Sequence, residues 1–572
     1  MTDTTAAAAA PRKTFLGHPR GLVVLFFAEM WERFSYYGMR TLLVLFLVQH
    51  MLFEDTEAQG LYAAYAALVY LMPIVGGAIA DKWLGARKAV TIGALLLVAG
   101  HFAMAFEGSG GRQYVTVGGT EYRVEADGRG QDRKLIALGP DGSRTPVTIS
   151  PQGLTRDAAE ASPIPASTPL GQFSTRVERD PAGELSLFLA MSLIIVGVGF
   201  LKANISAVVG ALYDKDDPRR DAGFTLFYVG INLGSLLSQL ACGWIGIVYG
   251  WKYGFGLAGI GMLLGLIVFQ LGQPWLEGRA GPPSEERLKR RVLGVPLEAL
   301  FWIGGVVAVV PIWLLLQRHE VVEMSLSILA PAIFLGMIVY SIFWLRAETR
   351  SRMLVALILC IFSVLFWTLF EQAGSSLTLF ADRSVVLPDW LTAGQAHFVN
   401  PLCIILLGPI FAAMWQALGR KGLEPPTPYK FSIALALVGA GFLVLVWAIE
   451  TQTTPDFRVA FTWLALAYVL HSVAELFLSP IGLSMITKLS AERIVGLMMG
   501  VWFLSSALAH SLAGQIAKLT ASETVGGVVV DPQAQLETYQ TVFNQIGWAS
   551  VIVGGVLFLG SPILKRMMAG VK

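Results

Sequence analysis

Fourteen long apolar stretches limit how this 572-residue chain can fold. Each is long enough for a helix crossing the roughly 30 Å hydrocarbon core of a bilayer, which takes about 20 residues. Only 14% of the residues are charged, against roughly 25% in a soluble domain. Because the alternating strands of a membrane barrel are absent, the sequence predicts an all-α polytopic membrane protein. The predicted spans are 19–50, 58–81, 87–106, 184–212, 221–248, 254–273, 296–317, 325–346, 352–380, 395–418, 430–450, 458–488, 494–518 and 541–565.

Lys and Arg are distributed unevenly between the two sides of this helical pattern. If the N-terminus is cytoplasmic, the tails and short loops on that side hold 25 of them, and the short loops on the other side hold five. Basic residues collect on the cytoplasmic side of membrane proteins. The count therefore predicts cytoplasmic termini. Residues 1–18 lack the apolar core of a secretory signal, so we interpret them as a polar cytoplasmic lead.

Residues 107–183, between the third and fourth spans, are polar and too long for an ordinary connection. Residues 113–124 resemble two short strands around a Gly-Gly turn, and residues 134–142 resemble part of another hairpin. The sequence predicts a small extracytoplasmic β element here, and a solvated spacer without a part in function is its simplest interpretation.

Ionisable residues inside the spans are the main functional signal. Each costs roughly 2.5 to 3.5 kcal/mol at the centre of a membrane helix, so it tends to face a cavity or a partner. Helical spacing in the first span aligns the side chains Glu29, Glu32, Arg33, Tyr36, Tyr37 and Arg40 on one stripe. Other spans contribute Lys202, Glu371 and Glu475.

Four carboxylates therefore face two or three cations within the predicted bundle. A cavity of low dielectric does not hold surplus negative charge fully ionised, so at least one carboxylate is expected to carry a proton for part of the time. This is a hypothesis of proton coupling. The competing interpretation is a set of static ion pairs that hold helices together, and it suits Arg40, near the outer end of its span, better than the others.

The first span contains a stretch that resembles the ExxERFxYYG motif of the proton-coupled oligopeptide transporters, a family of the major facilitator superfamily: Glu29-Met-Trp-Glu32-Arg33-Phe-Ser-Tyr36-Tyr37-Gly38. Residues 227–235 are similar to the family's FYxxINxGS stretch, and residues 77–87 to the superfamily's loop between spans two and three. Residues 199–206 and 479–482 add further matches. The resemblance covers nearly the whole chain except residues 107–183.

The resemblance implies the major facilitator fold, with two six-helix bundles at 19–273 and 351–572. Bacterial members often insert two extra helices between the bundles. The spans 296–317 and 325–346, within residues 274–350, fit that pair and contain few polar groups, which suits a peripheral position. The chain would then have 14 transmembrane helices in a bacterial inner membrane.

The same resemblance assigns roles to individual residues. Proton coupling and ion-pair switching would involve Glu29, Glu32, Arg33, Lys202 and Glu371. Arg33 and Lys202 would receive a peptide carboxylate, and Glu475, Asn232 and Asn400 would lie near its amino terminus. The pocket would be lined by Tyr36, Tyr37, Tyr70, Trp367, Trp502, Phe503 and Ser506. Animal members have a histidine on the second span, where this chain has residues 62–64, Tyr-Ala-Ala, so carboxylates would carry the proton.

The expected activity is proton-driven import of di- and tripeptides, by a monomer that needs no cofactor or metal. Cys242, Cys360 and Cys403 have no metal-ligand or disulfide spacing and are predicted to be buried. A first alternative is a family relative that carries nitrate or another small acid, against which Glu475 argues, because an anion needs no partner for an amino group. A second is a membrane enzyme or a receptor that does not transport, although the sequence has no nucleophile-base motif.

Overall fold

The computed structural model describes residues 14–106, 108–128, 130–157, 162–214, 217–292, 294–478 and 482–570. Most of the predicted N-terminal lead, residues 1–13, lies outside the described residues, as do residues 479–481 of one family match. Within the described part, the chain is a bundle of long helices with a single large β-sheet inserted after the third helix.

Six long helices form the N-terminal half, and they are α1 Gly21–Gln49, α2 Asp55–Ile79, α3 Ala86–Met104, α4 Pro181–Ala211, α5 Arg220–Val248 and α6 Trp251–Leu271. The first is 29 residues long and carries four charged side chains, all of which are buried. The charged stripe of α1 therefore faces the interior of the bundle, as its spacing predicts.

The C-terminal half consists of α10 Ala347–Phe370, α11 Ser376–Arg383, α12 Val399–Arg420, α13 Thr427–Gln452, α14 Phe461–Leu478, α15 Gly482–Leu489, α16 Val495–Lys518 and α17 Pro532–Met567. Thirteen spans of the described chain are long and apolar enough to cross a membrane. Helix α1 has that length but more charge, and with it the bundle has the 14 spans predicted.

Among the described residues, the two halves meet mainly where α2 packs on α16 and where α5 packs on α12. Within the N-terminal half, small residues allow close packing, and the clearest case is Gly76 on α2. A Cβ atom added at Gly76 would lie 2.0 Å from the carbonyl oxygen of Gly199 on α4, so only glycine fits.

The extra pair between the halves consists of α7 Leu297–Val307 with α8 Val309–Leu316, and of α9 His319–Trp344. The predicted span 296–317 is therefore two short helices divided at Ala308. Helix α8 packs on α4, and α9 packs on α2 and α16, where Glu323 pairs with Lys518 at 2.7 Å. Most of the pair is exposed, which fits the peripheral position predicted from its composition.

Seven strands form one antiparallel sheet within residues 111–179: β1 Gly111–Val117, β2 Thr120–Asp127, β3 Lys134–Leu138, β4 Arg144–Ser150, β5 Gly153–Arg156, β6 Ser167–Pro169 and β7 Phe173–Arg179. Their spatial order is β6-β5-β4-β3-β2-β1-β7. Gly118 and Gly119 turn between β1 and β2 with positive φ at both positions, as a two-residue hairpin requires. The sequence indicated two hairpins, and the sheet is larger because β7 returns to pair with β1.

The sheet lies at the end of the bundle where α1 ends and α17 begins, which we call the sheet end. The opposite end, where α1 begins and α17 ends, is the terminal end. At the sheet end, Arg383 forms a bidentate ion pair with Asp55 at 2.6 and 2.8 Å, and both side chains are buried. The side chains of Gln49 and Asp382 also join the halves, at 2.9 Å. These contacts hold the halves together at the sheet end.

Candidate functional site

The first ion cluster lies on α1, where helical spacing brings Glu29, Glu32 and Arg33 together. The Nε atom of Arg33 lies 2.7 Å from Glu29 Oε1, one helical turn earlier, and 2.8 Å from Glu32 Oε2. All three side chains are more than nine-tenths buried. Two acids thus share one base, and the second oxygen of Glu29 has no hydrogen-bond partner.

Lys202, on α4, stands beside this cluster as a cation without a carboxylate partner. Its ammonium lies 3.5 Å from the ring centroid of Tyr70 on α2, a cation–π contact. Within the described part of the chain, no carboxylate oxygen lies within the 4 Å of an ion pair to Lys202. The side chain is therefore free to bind a negatively charged group.

The resemblance implied that Glu371 takes part in ion pairs with Arg33 and Lys202. In the structure, Glu371 pairs with Arg40 instead. The Nε atom of Arg40 also donates a hydrogen bond to the hydroxyl of Tyr62, at 2.6 Å. Arg40 lies two turns beyond Arg33 on α1, about 10 Å nearer the sheet end. Its partner Glu371 is the first residue after α10. This pair joins the two halves between the cavity and the sheet end.

The position of Glu371 differs from that expected, since the predicted span 352–380 is interrupted there. Helix α10 ends at Phe370, a 3-10 turn covers Glu371–Gly374, and α11 follows. Added bulk at Gly374 would collide with Tyr62 and Arg40. The break therefore lets the ion pair approach the backbone closely.

A cavity of about 180 Å³ lies between the halves. Six of its lining residues were selected from the sequence: Tyr70, Trp367, Glu371, Trp502, Phe503 and Ser506. The structure thus brings together side chains from α2, from the end of α10 and from α16. Tyr36 is 2% exposed and packs with Tyr37, outside the lining of this cavity.

Two further lining residues, Leu478 and His510, were missed. The Nδ1 atom of His510 lies 3.8 Å from Glu371 Oε2, and its ring packs on Tyr70 with centroids 4.5 Å apart. The signal was present in the sequence, because Phe503, Ser506 and His510 follow one helix face at i, i+3 and i+7.

Asn400 connects Glu475 and Ser472 in the subsite that is expected to hold the amino terminus of a peptide. Its side-chain amide donates to Glu475 Oε2 at 3.0 Å and to the hydroxyl of Ser472 at 3.0 Å. Asn232, by contrast, donates to the carbonyl of Tyr228 on its own helix, at 3.0 Å, so the structure does not join it to Glu475. Glu475 is one turn before Leu478, which lines the cavity.

Other candidate groups have structural partners. His471 is bonded to the carbonyl of Val438 at 3.0 Å and packs on Phe442. Cys242 and Cys360 are buried as predicted, whereas Cys403 is only partly buried. Among the described residues, no group of three or more His, Cys, Asp or Glu could hold a metal ion.

A model of the POT family matches residues 87–535. The chain belongs to the POT family. The match begins after α1, so the ExxERFxYYG stretch does not contribute to it. The matched range does include residues 199–206, 227–235 and 479–482, on which the resemblance of this POT family member also rests.

Curated relatives extend over nearly the whole chain. An uncharacterized transporter of Bacillus subtilis, YclF, is 33% identical over 98% of this chain and 97% of its own length. The dipeptide and tripeptide permease A of Edwardsiella piscicida is 30% identical over 96% of both chains. Both relatives are transport proteins.

Solved structures give the same family. A crystal structure of a peptide transporter POT in complex with sulfate is 31% identical, covers 98% of both chains and has a TM-score of 0.73. A POT family transporter in complex with 5-aminolevulinic acid is 27% identical, covers 97% of this chain and 98% of its own, and has a TM-score of 0.70. The predicted major facilitator fold with 14 helices is confirmed for this POT family member.

Proposed function

We propose that this protein is a proton-driven symporter that imports di- and tripeptides by alternating access. The observation that carries the proposal is the pair of oppositely charged subsites on the two halves. Lys202 supplies an unpaired cation on the N-terminal half, and Glu475, which accepts a hydrogen bond from Asn400, supplies an acidic group on the C-terminal half. A zwitterion placed between them would have a partner for each of its ends.

The aromatic residues between the two poles fit a carrier of many peptides. Tyr70, Trp367, Trp502 and Phe503 line the cavity with apolar rings. Ligand sites combine such walls with a few polar groups that fix orientation. If the charged ends carry most of the binding free energy, the walls can accept different side chains. The permease named dipeptide and tripeptide permease A, at 30% identity, supports this substrate class.

Proton coupling is proposed to rest on the two carboxylates that share Arg33. Protonation of Glu29 or Glu32 would weaken the hold on Arg33, because a neutral acid attracts a cation less. Arg33 could then pair with the peptide carboxylate instead. Peptide and proton would thus stabilise the same state, and each could shift the equilibrium only by its differential affinity for the two states.

The direction of import follows from the proposed orientation. The tails and short loops assigned to the terminal end hold 25 Lys or Arg, against five in the short loops at the sheet end. We therefore place the terminal end in the cytoplasm of a bacterium, the sheet end outside the inner membrane, and both termini inside. The unit that transports is proposed to be the monomer.

A carrier of nitrate or another small acid is the second candidate. Lys202 and Arg33 would suffice for an anion, but the partly buried Glu475 with its Asn400 partner would then have no role in binding. The relative in complex with 5-aminolevulinic acid also favours ligands that carry both an amino and an acid group.

Uptake by the purified protein in liposomes tests the proposal. Under an inward acid gradient, dialanine should accumulate, whereas dialanine amide, which lacks the terminal carboxylate, should enter at least about tenfold more slowly. Protein-free liposomes are the control. Uptake of dialanine that does not respond to the gradient would contradict the proposal, and uptake of nitrate in its place would support the second candidate.

A further inference from the structure

The seven-stranded sheet belongs to the N-terminal half by sequence, because it is inserted between α3 and α4, yet its bonds reach the C-terminal half. The side-chain amide of Gln131, between β2 and β3, donates to the carbonyl oxygens of Ala381, Asp382 and Val385 at 3.2, 3.1 and 2.6 Å. Two of these carbonyls belong to the last turn of α11, where a helix leaves carbonyl groups without internal partners. Gln131 therefore caps a helix of the opposite half.

Arg133 adds an ion pair at the same place. Its guanidinium lies 2.8 Å from Asp382 Oδ2 and also donates to the carbonyl of Gly527 at 3.2 Å. The side chains of Arg133 and Asp382 are 11% and 1% exposed. Burial lowers the pKa of Arg133, and the neighbouring Asp382 acts in the opposite direction. Because desolvation of the cation is costly, Arg133 depends on this partner.

The apolar core of the sheet is also shared between the halves. Val525 and Val530, from the loop between α16 and α17, are buried in one cluster with strand residues that include Val115 and Leu135. Gln113 on β1 accepts a hydrogen bond from the amide of Gly526 in that loop, at 3.3 Å. Burial of a valine side chain is worth roughly 1.5 to 3 kcal/mol, so this part of the contact holds the loop against the sheet.

The sheet is fixed equally to the N-terminal half. The amide of Gly111 donates to the carbonyl of His50 at 2.7 Å, beside the end of α1. Arg179, at the end of β7, pairs with Glu57 on α2 at 2.9 Å and lies 4.1 Å from the ring centroid of Phe53. One compact element thus binds both halves on the side where Asp55 and Arg383 pair directly.

We propose that the sheet is a clasp that holds the sheet end closed and releases residues 381–385 when that end opens. The inference rests on the proposed function in one respect, since alternating access is what opens the sheet end. Separation of α2 from α11 parts Asp55 from Arg383, and the sheet cannot follow both halves. The hydrogen bonds of Gln131 and Arg133 are the contacts that water can replace most easily, because they are polar and lie at the margin of the sheet.

The clasp biases the equilibrium between the two states and does not lock it. A bond broken on opening is partly replaced by bonds to water, so the net contribution of the few contacts is modest. Loss of the clasp should therefore raise the ratio of open to closed molecules. We expect a factor of roughly 5 to 150, the range that is typical of the coupling between two sites in one protein.

Distance measurement between spin labels on the two halves tests the clasp in the full-length protein. Cysteines replace Thr56 on α2 and Gln452 on α13, both exposed at the sheet end, and Cys403→Ser removes the partly buried native thiol. The double variant Gln131→Ala/Arg133→Met should raise the ratio of long to short distances at least about fivefold. An unchanged distribution would overturn the proposal.

Two further variants make the result specific. Gln131→Glu preserves size but replaces the donor with an acceptor that faces three carbonyl oxygens, so it should also favour the open state. Arg123→Met makes the same substitution on the sheet at an arginine that pairs with Glu125, within the sheet and exposed. It should leave the distances unchanged, and an equal shift in this control would overturn the clasp.

The distances do not depend on which solute is carried. A shift in the clasp variants together with no peptide uptake in liposomes would reject the proposed substrate and retain the clasp. Peptide uptake with unchanged distances would reject the clasp alone. Thermal unfolding of each labelled variant shows whether it is folded, and the conservative Gln131→Glu variant keeps the test valid if Arg133→Met unfolds.

Discussion

At the scale of single residues, α1 carries two cations with different partners. Arg33 is held by Glu29 and Glu32 on its own helix, whereas Arg40 is held by Glu371 from the opposite half. An ion pair within one helix survives a separation of the halves, and one between the halves does not. Under the proposed alternating access, Arg33 would therefore keep its partners when the halves separate, and Arg40 would lose its partner.

Glu29→Gln or Glu32→Gln is expected to reduce uptake driven by the acid gradient at least about tenfold. The amide cannot take up and release the proton, but it leaves the cavity in place, so exchange of labelled for unlabelled peptide without a gradient should persist. Both rates can be measured in the same liposomes. Glu348→Gln, at an exposed pair with Arg352 outside the cavity, is the matched control. Driven uptake equal to the parent's would exclude both acids from coupling.

Lys202→Ala is expected to slow driven uptake of dialanine by roughly 10- to 100-fold, since a hydrogen bond to a charged group contributes about 1.5–3 kcal/mol. The cause is the loss of the unpaired cation above Tyr70. The same substitution should have little effect on dialanine amide, which presents no carboxylate. An equal loss for the two peptides would show that Lys202 acts on the fold and not on the peptide carboxylate.

At the scale of elements, glycine residues determine how closely two helices can pack, and interruptions of a helix determine where the side chains at the interruption lie. Gly76 brings α2 against the backbone of α4, and the turn Glu371–Gly374 places a carboxylate against Arg40. The number of strands in the sheet likewise depends on contacts between elements that are distant in the sequence. Strand β6 has three residues, and β4 and β6 each contain a proline, so these strands resemble loop until long-range pairing joins them.

Gly76→Ala is expected to destabilise the protein by about 1–3 kcal/mol, because the new methyl group would overlap the carbonyl of Gly199. Gly77→Ala is the matched control one position away, where the added Cβ meets only Ala203, at 3.7 Å. Thermal unfolding in detergent measures both variants. Similar unfolding temperatures for the two would contradict the packing described between α2 and α4.

At the scale of the whole molecule, the contacts between the halves determine which side of the cavity is closed. Asp55 with Arg383 and the sheet contacts lie at the sheet end, and Arg40 with Glu371 lies between them and the cavity. This arrangement favours access to the cavity from the terminal end.

A cysteine in the cavity should therefore react from one side only. Ser506→Cys, in a background with Cys403→Ser, is expected to react at least about tenfold faster with a membrane-impermeant thiol reagent applied at the terminal end than at the sheet end. Vesicles of the two orientations supply the two sides, and unmodified Cys360, which is buried, is the internal control. Faster reaction from the sheet end would contradict the described closure.

The sequence by itself determined the helix count and the placement of the charged stripe on α1, because lipid forces apolar runs of fixed length and makes each internal charge conspicuous. The motif on that stripe resembled the family to which the chain belongs. It also selected six residues that line the cavity. Only the tertiary structure decided that Glu371 pairs with Arg40, that Asn232 bonds its own helix, that His510 lines the cavity and that the sheet joins the halves. Helical spacing fixes which residues share a face, whereas the partner across an interface depends on how rigid elements pack, and no local pattern records that.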